Sequence, residues 1–360
     1  MRYRKIEFSQ ETKRDLIPAW KDYVTHYRKE HFSTNKSFNT SKSLEQKEIL
    51  VDKIACAEID KWSGMNNSTL ISKEQKVNSP MYSWAFFAVV NTLVDTVLPE
   101  IIAEDFYGFS NVQVVGRGNS ATYQLKSNDL FEVSTNGQSR RHVNAQRQFT
   151  GTKSLVPVQR TITTMVDLYR VMAGEESLAS YAMKVIMSIE SELSLDVAFC
   201  MQESFDVLTA NFKEAGFTQQ TFKELSTRVT AANGGRKAVA LGTEIGLSNI
   251  LPENDYLKMG LGPDYVKVGY LPVFLGTPLS VLSQAIDWSS ADYDFAISND
   301  YIYFVSPGAQ ALVQIVLDDN GLSIVDDVFA NGNLTQKASL HKGWNVAVIT
   351  NAKYGIMKLK

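Results

Sequence analysis

Apolar residues recur at every fourth position within residues 175–212, a period typical of a helix. Glu175 and Glu176 stand at the start, where acidic side chains suit the positive end of a helix dipole. No glycine or proline follows before Gly216, so the pattern predicts one helix of roughly 45–55 Å at 1.5 Å per residue. The repeat consists of Tyr181, Val185, Ile189, Leu193, Val197 and Met201. Charged residues on the other face predict that this helix lies at a surface.

Three more helices are predicted nearer the N-terminus, over residues 9–31, 43–61 and 81–103. Pro18 is expected at the start of the first of them, because proline is tolerated in the first turn of a helix. Ser43 and Gln46 have the spacing of a capping box for the second. The first 105 residues therefore predict a helical segment.

The next region has strand-like alternation and an unusual charge balance. Strands are predicted at 112–115, 121–125 and 130–133, and Asn136-Gly137 is a strong turn signal. Between residues 133 and 166 there is no acidic residue, and the basic residues are Arg140, Arg141, Arg147, Lys153 and Arg160. A long hairpin of this kind is either a solvated loop or an arm that reaches an acidic neighbouring surface.

The rest of the chain predicts a mixed α/β region. Residues 161–172 are expected to form a strand that leads into the long helix, and a helix after Gly216 should end at Asn233-Gly234-Gly235. Frequent proline and glycine then mark turns. Further strands are predicted at 238–242, 265–274, 294–298, 301–305, 311–317, 344–350 and 354–359.

Composition narrows the function classes. The 360 residues suffice for two or three domains, and 44% apolar with 21% charged residues is typical of a folded soluble protein. A net charge of −3 disfavours a dominant nucleic-acid-binding surface. Cys56 and Cys200 form no disulfide framework, which fits a reducing compartment. No signal peptide is predicted, and the apolar run at 81–90 is interrupted too soon, by Asn91 and Asp95, to predict a membrane span.

Motifs for catalysis are missing from the sequence. Residues 116–121 fit GxGxxA, but strand-like residues follow where a dinucleotide site needs a helix. The histidines, His26, His31, His142 and His341, have no partner at metal-ligand spacing. Paired carboxylates occur at Asp318-Asp319, Asp326-Asp327 and Asp292/Asp294, where a solvated rim is expected. We therefore predict no catalytic, cofactor-binding or metal-binding residue and no enzyme activity.

The order of these parts resembles the major capsid proteins of tailed bacteriophages, which share the Hong Kong-type shell fold. The resemblance covers most of the chain from about residue 80 onward. It rests on the basic hairpin, the long helix, Lys237-Ala238-Val239-Ala240-Leu241-Gly242-Thr243 after a Gly-Gly helix end, Asp300-Tyr301-Ile302-Tyr303-Phe304-Val305, and Gly308.

This resemblance implies an α+β fold in four parts. They are an N-terminal helical arm (1–105), an extended β-hairpin called the E-loop (106–160), a peripheral domain (161–232 and 336–360) with a spine helix at 175–212, and an axial α/β domain (233–335). The implied function is structural: self-assembly into the icosahedral head shell that encloses the phage genome. The implied location is the virion capsid, assembled in the cytoplasm of the host bacterium.

The partners implied are further copies of the chain, as hexamers and pentamers, and scaffolding, portal or decoration proteins. Packaged double-stranded DNA would be contacted without sequence readout, and neither a membrane nor a cofactor is implied. Charge complementarity adds a predicted inter-subunit contact, in which the basic hairpin lies over the long helix of an adjacent copy. Its residues are Arg140, Arg141, Arg147, Lys153 and Arg160 on one side, and Glu190, Glu192 and Asp196 on the other.

Other interpretations stay open. The basic residues can instead contact their own subunit or solvent. The same fold would serve an encapsulin-like compartment that holds a cargo enzyme. A cytosolic α/β enzyme with a site in residues 235–335 is a third possibility. A nucleic-acid-binding module is disfavoured by the acidic total and by a hairpin with one aromatic residue, Phe149.

Overall fold

Two β-sheets, a two-stranded ladder and seven α-helices make up the described part of the chain. The structure is a computed structural model, and it describes residues 10–32, 42–65, 76, 79–106, 109–126, 147–148, 150–252, 265, 268–282, 284–287, 292–307, 311–319, 321–325 and 335–359. The helices are α1 (Gln10–Phe32), α2 (Leu44–Trp62), α3 (Pro80–Asp105), α4 (Leu168–Ala173), α5 (Leu178–Val207), α6 (Gln219–Ala232) and α7 (Glu244–Ser248).

The strands are β1 (Ser110–Val115), β2 (Ala121–Lys126), β3 (Thr150–Leu155), β4 (Val158–Asp167), β5 (Lys213–Ala215), β6 (Val239–Gly242), β7 (Val273–Phe274), β8 (Thr277–Val281), β9 (Tyr301–Val305), β10 (Val313–Asp318), β11 (Leu322–Val325), β12 (Thr335–Val348) and β13 (Gly355–Lys358). The first sheet contains five of them, with β12 paired to β4, β10 and β11, and β1 parallel to β10. β4 runs antiparallel to β12 from Val158↔Trp344 to Asp167↔Thr335.

Helices α3 and α5 cover one face of the first sheet. The apolar repeat of α5 is buried there as predicted, with Ile189 and Leu193 fully buried. The N-terminal helices join the same core, since Trp20 is fully buried and its indole N–H donates to the carbonyl of Leu93 at 3.0 Å. Helices α1 and α2 are thus packed against the body of their own subunit.

The second sheet has the order β5-β13-β9-β6-β8-β7, and α6 packs on it. Phe222 of α6 lies against Phe304 of β9, with ring centroids 5.0 Å apart. At Gly355 of β13 a Cβ atom would lie 2.9 Å from Leu225 Cδ1, so only glycine allows α6 to approach this strand so closely. The capping box at Ser43 and Gln46, and a helix end at Asn233, are present as predicted.

Several predicted boundaries need correction. Pro18 lies inside α1, where the burial of Leu16 and Trp20 on either side offsets the backbone hydrogen bond that proline cannot donate. The long helix is Leu178–Val207 and not 175–212. The strand predicted at 161–172 ends at Asp167, whose carboxylate accepts hydrogen bonds from the first turn of α4. Of the strand predicted at 265–274, only Val273–Phe274 forms in the described residues.

The sheets also cross the predicted domain limits. β1, predicted within the hairpin region 106–160, belongs to the first sheet. β10 and β11, placed in the axial domain at 233–335, pair with β12 in that same sheet. β13 and β5, placed in the peripheral domain, belong to the second sheet. The predicted strand at 130–133 and the turn at 136–137 lie outside the described residues.

Helix α3 is more apolar over its whole length than Asn91 and Asp95 within it suggested. Among the described residues it is the one helix long and apolar enough to cross a membrane by length and composition. Most of its apolar stretch is buried inside the protein, where Phe86, Leu93 and Leu98 pack in the core. Burial of this kind is typical of the core helix of a globular protein.

Candidate assembly surfaces

The β2–β3 ladder is anchored on the first sheet and exposed beyond it. Ala121 and Tyr123 pack against Val316 and Ile349. In β3, by contrast, residues 150–154 are all exposed, so both faces of this strand meet solvent. The ladder pairs residues 121–126 with residues 150–155 as two antiparallel strands; the strand at 121–125 was predicted, and β3 was not.

The basic residues predicted for the hairpin have different surroundings. Arg140 and Arg141 lie outside the described residues. Arg147 and Lys153 are exposed to solvent. Arg160 is half-buried on β4, and its guanidinium contacts the long helix of the same chain: Nη1 is 3.1 Å from Glu192 Oε1 and Nη2 is 2.7 Å from Asp196 Oδ2.

Trp344 completes this contact. The Arg160 guanidinium lies 5.2 Å from the centre of the Trp344 ring. The indole N–H of Trp344 donates to Asp196 Oδ2 at 2.9 Å. Asp196 therefore joins β4 and β12 to the long helix, an arrangement that only the fold reveals because the three residues are far apart in sequence.

Glu190, the third acidic residue predicted to face a neighbour, is also paired within the chain. Arg28 Nη1 of α1 lies 3.0 Å from Glu190 Oε2. Glu190, Glu192 and Asp196 thus all have basic partners in their own subunit. For Arg160 the intrachain alternative is the contact observed, and an inter-subunit role for Arg140, Arg141, Arg147 and Lys153 stays a prediction.

The start of the long helix is capped by a residue from another helix. Ser177 Oγ accepts a hydrogen bond from Ser180 N at 3.1 Å. Asp52 Oδ1 of α2 accepts one from Ala179 N at 2.8 Å. Burial raises the pKa of Asp52, and the hydrogen bonds from Ala179 and Ser177 act in the opposite direction. Together these contacts hold α2 on the first turn of α5.

Two buried polar clusters were not predicted from the sequence. Lys342 of β12 is almost fully buried and forms an ion pair with Asp95 of α3. Asp95 Oδ2 also accepts a hydrogen bond of 2.9 Å from Gly321 N. The signal available in the sequence was a carboxylate, Asp95, within the apolar stretch of the predicted helix at 81–103, and a lysine two residues before the strand predicted at 344–350.

The second cluster corrects the prediction for Asp318. This residue was expected on a solvated rim, but its side chain is buried and Oδ2 accepts a hydrogen bond from Gln159 Nε2. Gln159 Oε1 in turn accepts one from Arg117 Nη2 at 3.3 Å. Gly343 lies beneath this chain of hydrogen bonds, where a Cβ atom would be 2.2 Å from Asp318 Oδ2. Asp292 and Asp294 are exposed as predicted.

Large apolar side chains are exposed near the edge of the first sheet. β4 pairs with β12 and, in the described part of the chain, with no other strand. Val156 just before this strand and Val158 at its start are more than half exposed, as are Met165 farther along it and Phe199 on α5. An exposed sheet edge beside apolar side chains is a common site of chain association.

The described residues offer little for catalysis. Gly118, in the GxGxxA stretch, has a φ of +84° and leads into β2 rather than into a helix. Within the described ranges, no three His, Cys, Asp or Glu side chains are grouped to hold a metal ion. Burial raises the pKa of the Cys56 thiol to about 11 and also raises that of Cys200, so neither thiol is activated.

Comparison with known proteins gives structural matches only. No protein-family model and no curated protein matches the sequence. Similar solved structures include the acid-stable capsid of Helicobacter pylori bacteriophage KHP30, with 11% identity and a TM-score of 0.45 over 72% of this chain and 90% of that chain. The capsid of cyanophage P-SCSP1u has 9% identity and a TM-score of 0.45 over 71% of this chain and 86% of that chain.

The SrpI encapsulin of Synechococcus elongatus PCC 7942 is also similar, with 9% identity and a TM-score of 0.41 over 69% of this chain and 84% of that chain. The similar structures thus include phage capsids, the class that the sequence resembles, and an encapsulin, the compartment named as the alternative.

Proposed function

We propose that this chain is a shell protein, a major capsid protein of the tailed-bacteriophage kind, which assembles with copies of itself around a genome. The observation that carries the proposal is the β2–β3 ladder. Thr150 to Ser154 of β3 are exposed on both faces, although the ladder is held firmly at its base by Tyr123. A two-stranded ladder is marginal in water unless something packs on it. An adjacent copy would supply the missing surface.

The long helix fits this role as a spine. At 1.5 Å per residue its 30 residues extend about 45 Å. Its early turns pack in the core of the first sheet, and near its end Phe205 lies against Tyr301 of the second sheet, with ring centroids 5.9 Å apart. One helix therefore supports both sheets and keeps their separation fixed.

We base a finer division into domains on the two sheets. In this proposal the peripheral domain is the first sheet with α3 and α5, and the axial domain is the second sheet with α6 and α7. The E-loop is the β2–β3 ladder with the residues that connect its strands. Helices α1 and α2 belong to the peripheral domain, because Asp52 and Arg28 tie them to α5.

The basic hairpin residues other than Arg160 are the candidates for contact with a neighbour. They are Arg140, Arg141, Arg147 and Lys153. Exposed ion pairs contribute only about 0–1 kcal/mol each, so assembly would depend on the sum of many such contacts. Packaged double-stranded DNA would meet the inner surface through weak, salt-sensitive contacts. Scaffolding, portal and decoration proteins would be its partners in the virion, after assembly in the host cytoplasm.

Particle size tests the proposal. Light scattering and negative-stain microscopy of the purified chain should show closed particles, or rings of hexamer and pentamer size. The nucleic acid content of particles isolated from cells would then separate a phage head from an encapsulin-like compartment, which would hold a protein cargo. A chain that stays monomeric with and without co-expressed phage proteins would favour the α/β enzyme with a site in residues 235–335.

A further inference from the structure

Two exposed apolar side chains lie on strained backbone. Among the described residues other than glycine, Leu275 and Tyr293 are the ones with positive φ, at 48° and 55°. Leu275 is 42% exposed and Tyr293 is 64% exposed. Bulky side chains disfavour this conformation, and backbone strain of this kind is concentrated at functional sites and contact surfaces.

Leu275 stands at the turn between β7 and β8. Phe274 pairs with Thr277, so Leu275 and Gly276 form a two-residue loop, and both have positive φ. Asn-Gly is the usual sequence for such a loop, and leucine is a poor choice for its first position. Val273 beside it is more than half exposed, and Lys223 Nζ donates to the carbonyl of Leu275 at 2.8 Å. We name this surface the turn tip: Lys223, Val273, Leu275 and Gly276.

Tyr293 lies next to an isolated antiparallel bridge that follows β8 in the chain. Ile286 and Phe295 form an antiparallel bridge, and Asp287 N donates to the carbonyl of Asp294 at 2.9 Å. Phe295, like Tyr293, is more than half exposed. We name this surface the acidic tip: Ile286, Asp287, Asp292, Tyr293, Asp294 and Phe295. Its charged members are all aspartates, whereas the charged member of the turn tip is a lysine.

The two tips lie at opposite ends of one strand. The turn tip immediately precedes the first residue of β8, Thr277, and the acidic tip follows its last residue, Val281. Leu282 N then donates to the carbonyl of Gly242 at the end of the parallel strand β6. A strand of five residues is about 17 Å long, so the tips are separate surfaces and a single copy does not join them.

We propose that the acidic tip of one copy docks on the turn tip of the next copy, a head-to-tail contact between second-sheet domains. Each copy carries both halves of the contact, with apolar side chains at the centre and charges of opposite sign beside them. Contacts of this type close into rings when the rotation between copies allows it. The proposal rests on the proposed shell function and names one surface through which that assembly forms.

Replacing the strained residues separates subunit stability from assembly. Leu275→Asn and Tyr293→Asn remove the apolar contact but insert a residue that tolerates positive φ. Each variant should melt at the same temperature as the parent chain or a few degrees higher when unassembled, and should need at least tenfold more protein to assemble. Ile49→Asn on α2, also an exposed apolar position, is the matched control and should assemble normally. Normal assembly of both tip variants would overturn the proposal.

A mixing experiment tests the head-to-tail geometry. The Leu275→Asn chain keeps an intact acidic tip, and the Tyr293→Asn chain keeps an intact turn tip. The mixture should therefore give two-chain species in sedimentation velocity at concentrations where neither variant associates alone, and their absence would contradict a head-to-tail contact. Shells formed equally well by both variants would leave the shell function intact and refute this contact. If the parent chain forms small rings but no shells, and both variants abolish these rings, the contact stands and the shell function is refuted.

Discussion

Asp52 and Ala179 join two helices that are far apart in sequence: the carboxylate of Asp52 in α2 accepts the backbone N–H of Ala179 in the first turn of α5 at 2.8 Å. The N–H groups at a helix start have no partner within the helix. One of them is here satisfied by α2, so the N-terminal helices help to define where the long helix begins.

Substitution of Asp52 should weaken this junction. We expect Asp52→Ala to lower the free energy of unfolding by about 1–2 kcal/mol, the usual cost of losing a helix cap. Asp52→Asn should lose less, because an amide oxygen still accepts the hydrogen bond. Urea denaturation of the unassembled chain measures both values, and an Asp52→Ala variant as stable as the parent chain would show that the cap contributes nothing.

The raised pKa of Asp52 predicts the pH dependence of that comparison. Burial places the folded-state pKa above the ordinary value of 3.8, so the folded chain binds the proton more tightly than the unfolded chain. The contribution of Asp52 to stability is therefore greatest at low pH and decreases as the pH rises from 3.8 through the folded-state pKa. Relative to the parent chain, Asp52→Asn should gain stability over this window, and a constant difference would contradict the shift.

The ion pair between Asp95 and Lys342 should be costly to break from one side. Asp95→Ala leaves a buried ammonium unpaired, for which we expect a loss of about 3–5 kcal/mol. The double variant Asp95→Ala with Lys342→Met removes both charges and should recover most of it. If the double variant is as unstable as the single one, the packing of α3 on β12, and not the charge, is what Asp95 provides.

Arg160 and the other arginines of the basic hairpin should behave differently. Arg160→Glu places like charges beside Glu192 and Asp196 of its own chain, so it should lower the melting temperature of the unassembled subunit. Reversal of Arg140, Arg141 and Arg147 together should leave that temperature unchanged and weaken assembly at low salt, where exposed charges are least screened. Assembly unaffected by the triple reversal would end the predicted hairpin contact.

Gly343 should not tolerate a side chain. A Cβ atom there would lie 2.2 Å from Asp318 Oδ2 and 2.6 Å from Gln159 Nε2. We expect Gly343→Ala to destabilise the chain by about 1–3 kcal/mol, the typical cost of overpacking. Gly151→Ala is a suitable control, because no atom lies within 4 Å of its added Cβ. Equal stability of the two variants would mean that the Asp318–Gln159 contact moves aside freely.

Local patterns in the sequence predicted much of this fold. The four-residue repeat in α5, the capping box at Ser43 and the helix end at Asn233 each depend on neighbours within a few positions. Pairings between distant segments were not predictable in this way. β1 resembles any strand until β10 is beside it, and Asp95 resembles an interruption of an apolar helix until Lys342 meets it.

The predicted assembly site was likewise predictable only where it depends on local sequence. Charge complementarity between the basic hairpin and the long helix was visible in the sequence, but it did not say which chain would supply each partner. The fold pairs Arg160 with Asp196 within one subunit. The strained turn at Leu275 was marked in the sequence by a glycine only, because its φ depends on how β7 and β8 pair.

The positions of β12 and β13 have a consequence for synthesis. β12 pairs with three strands of the first sheet, and β13 lies between β5 and β9 in the second. A ribosome that has reached residue 334 has therefore produced neither sheet in finished form, and the edges waiting for these strands are unpaired. Both sheets close only after residues 335–358 emerge, so the mature surfaces of either sheet cannot form before these two strands have been made.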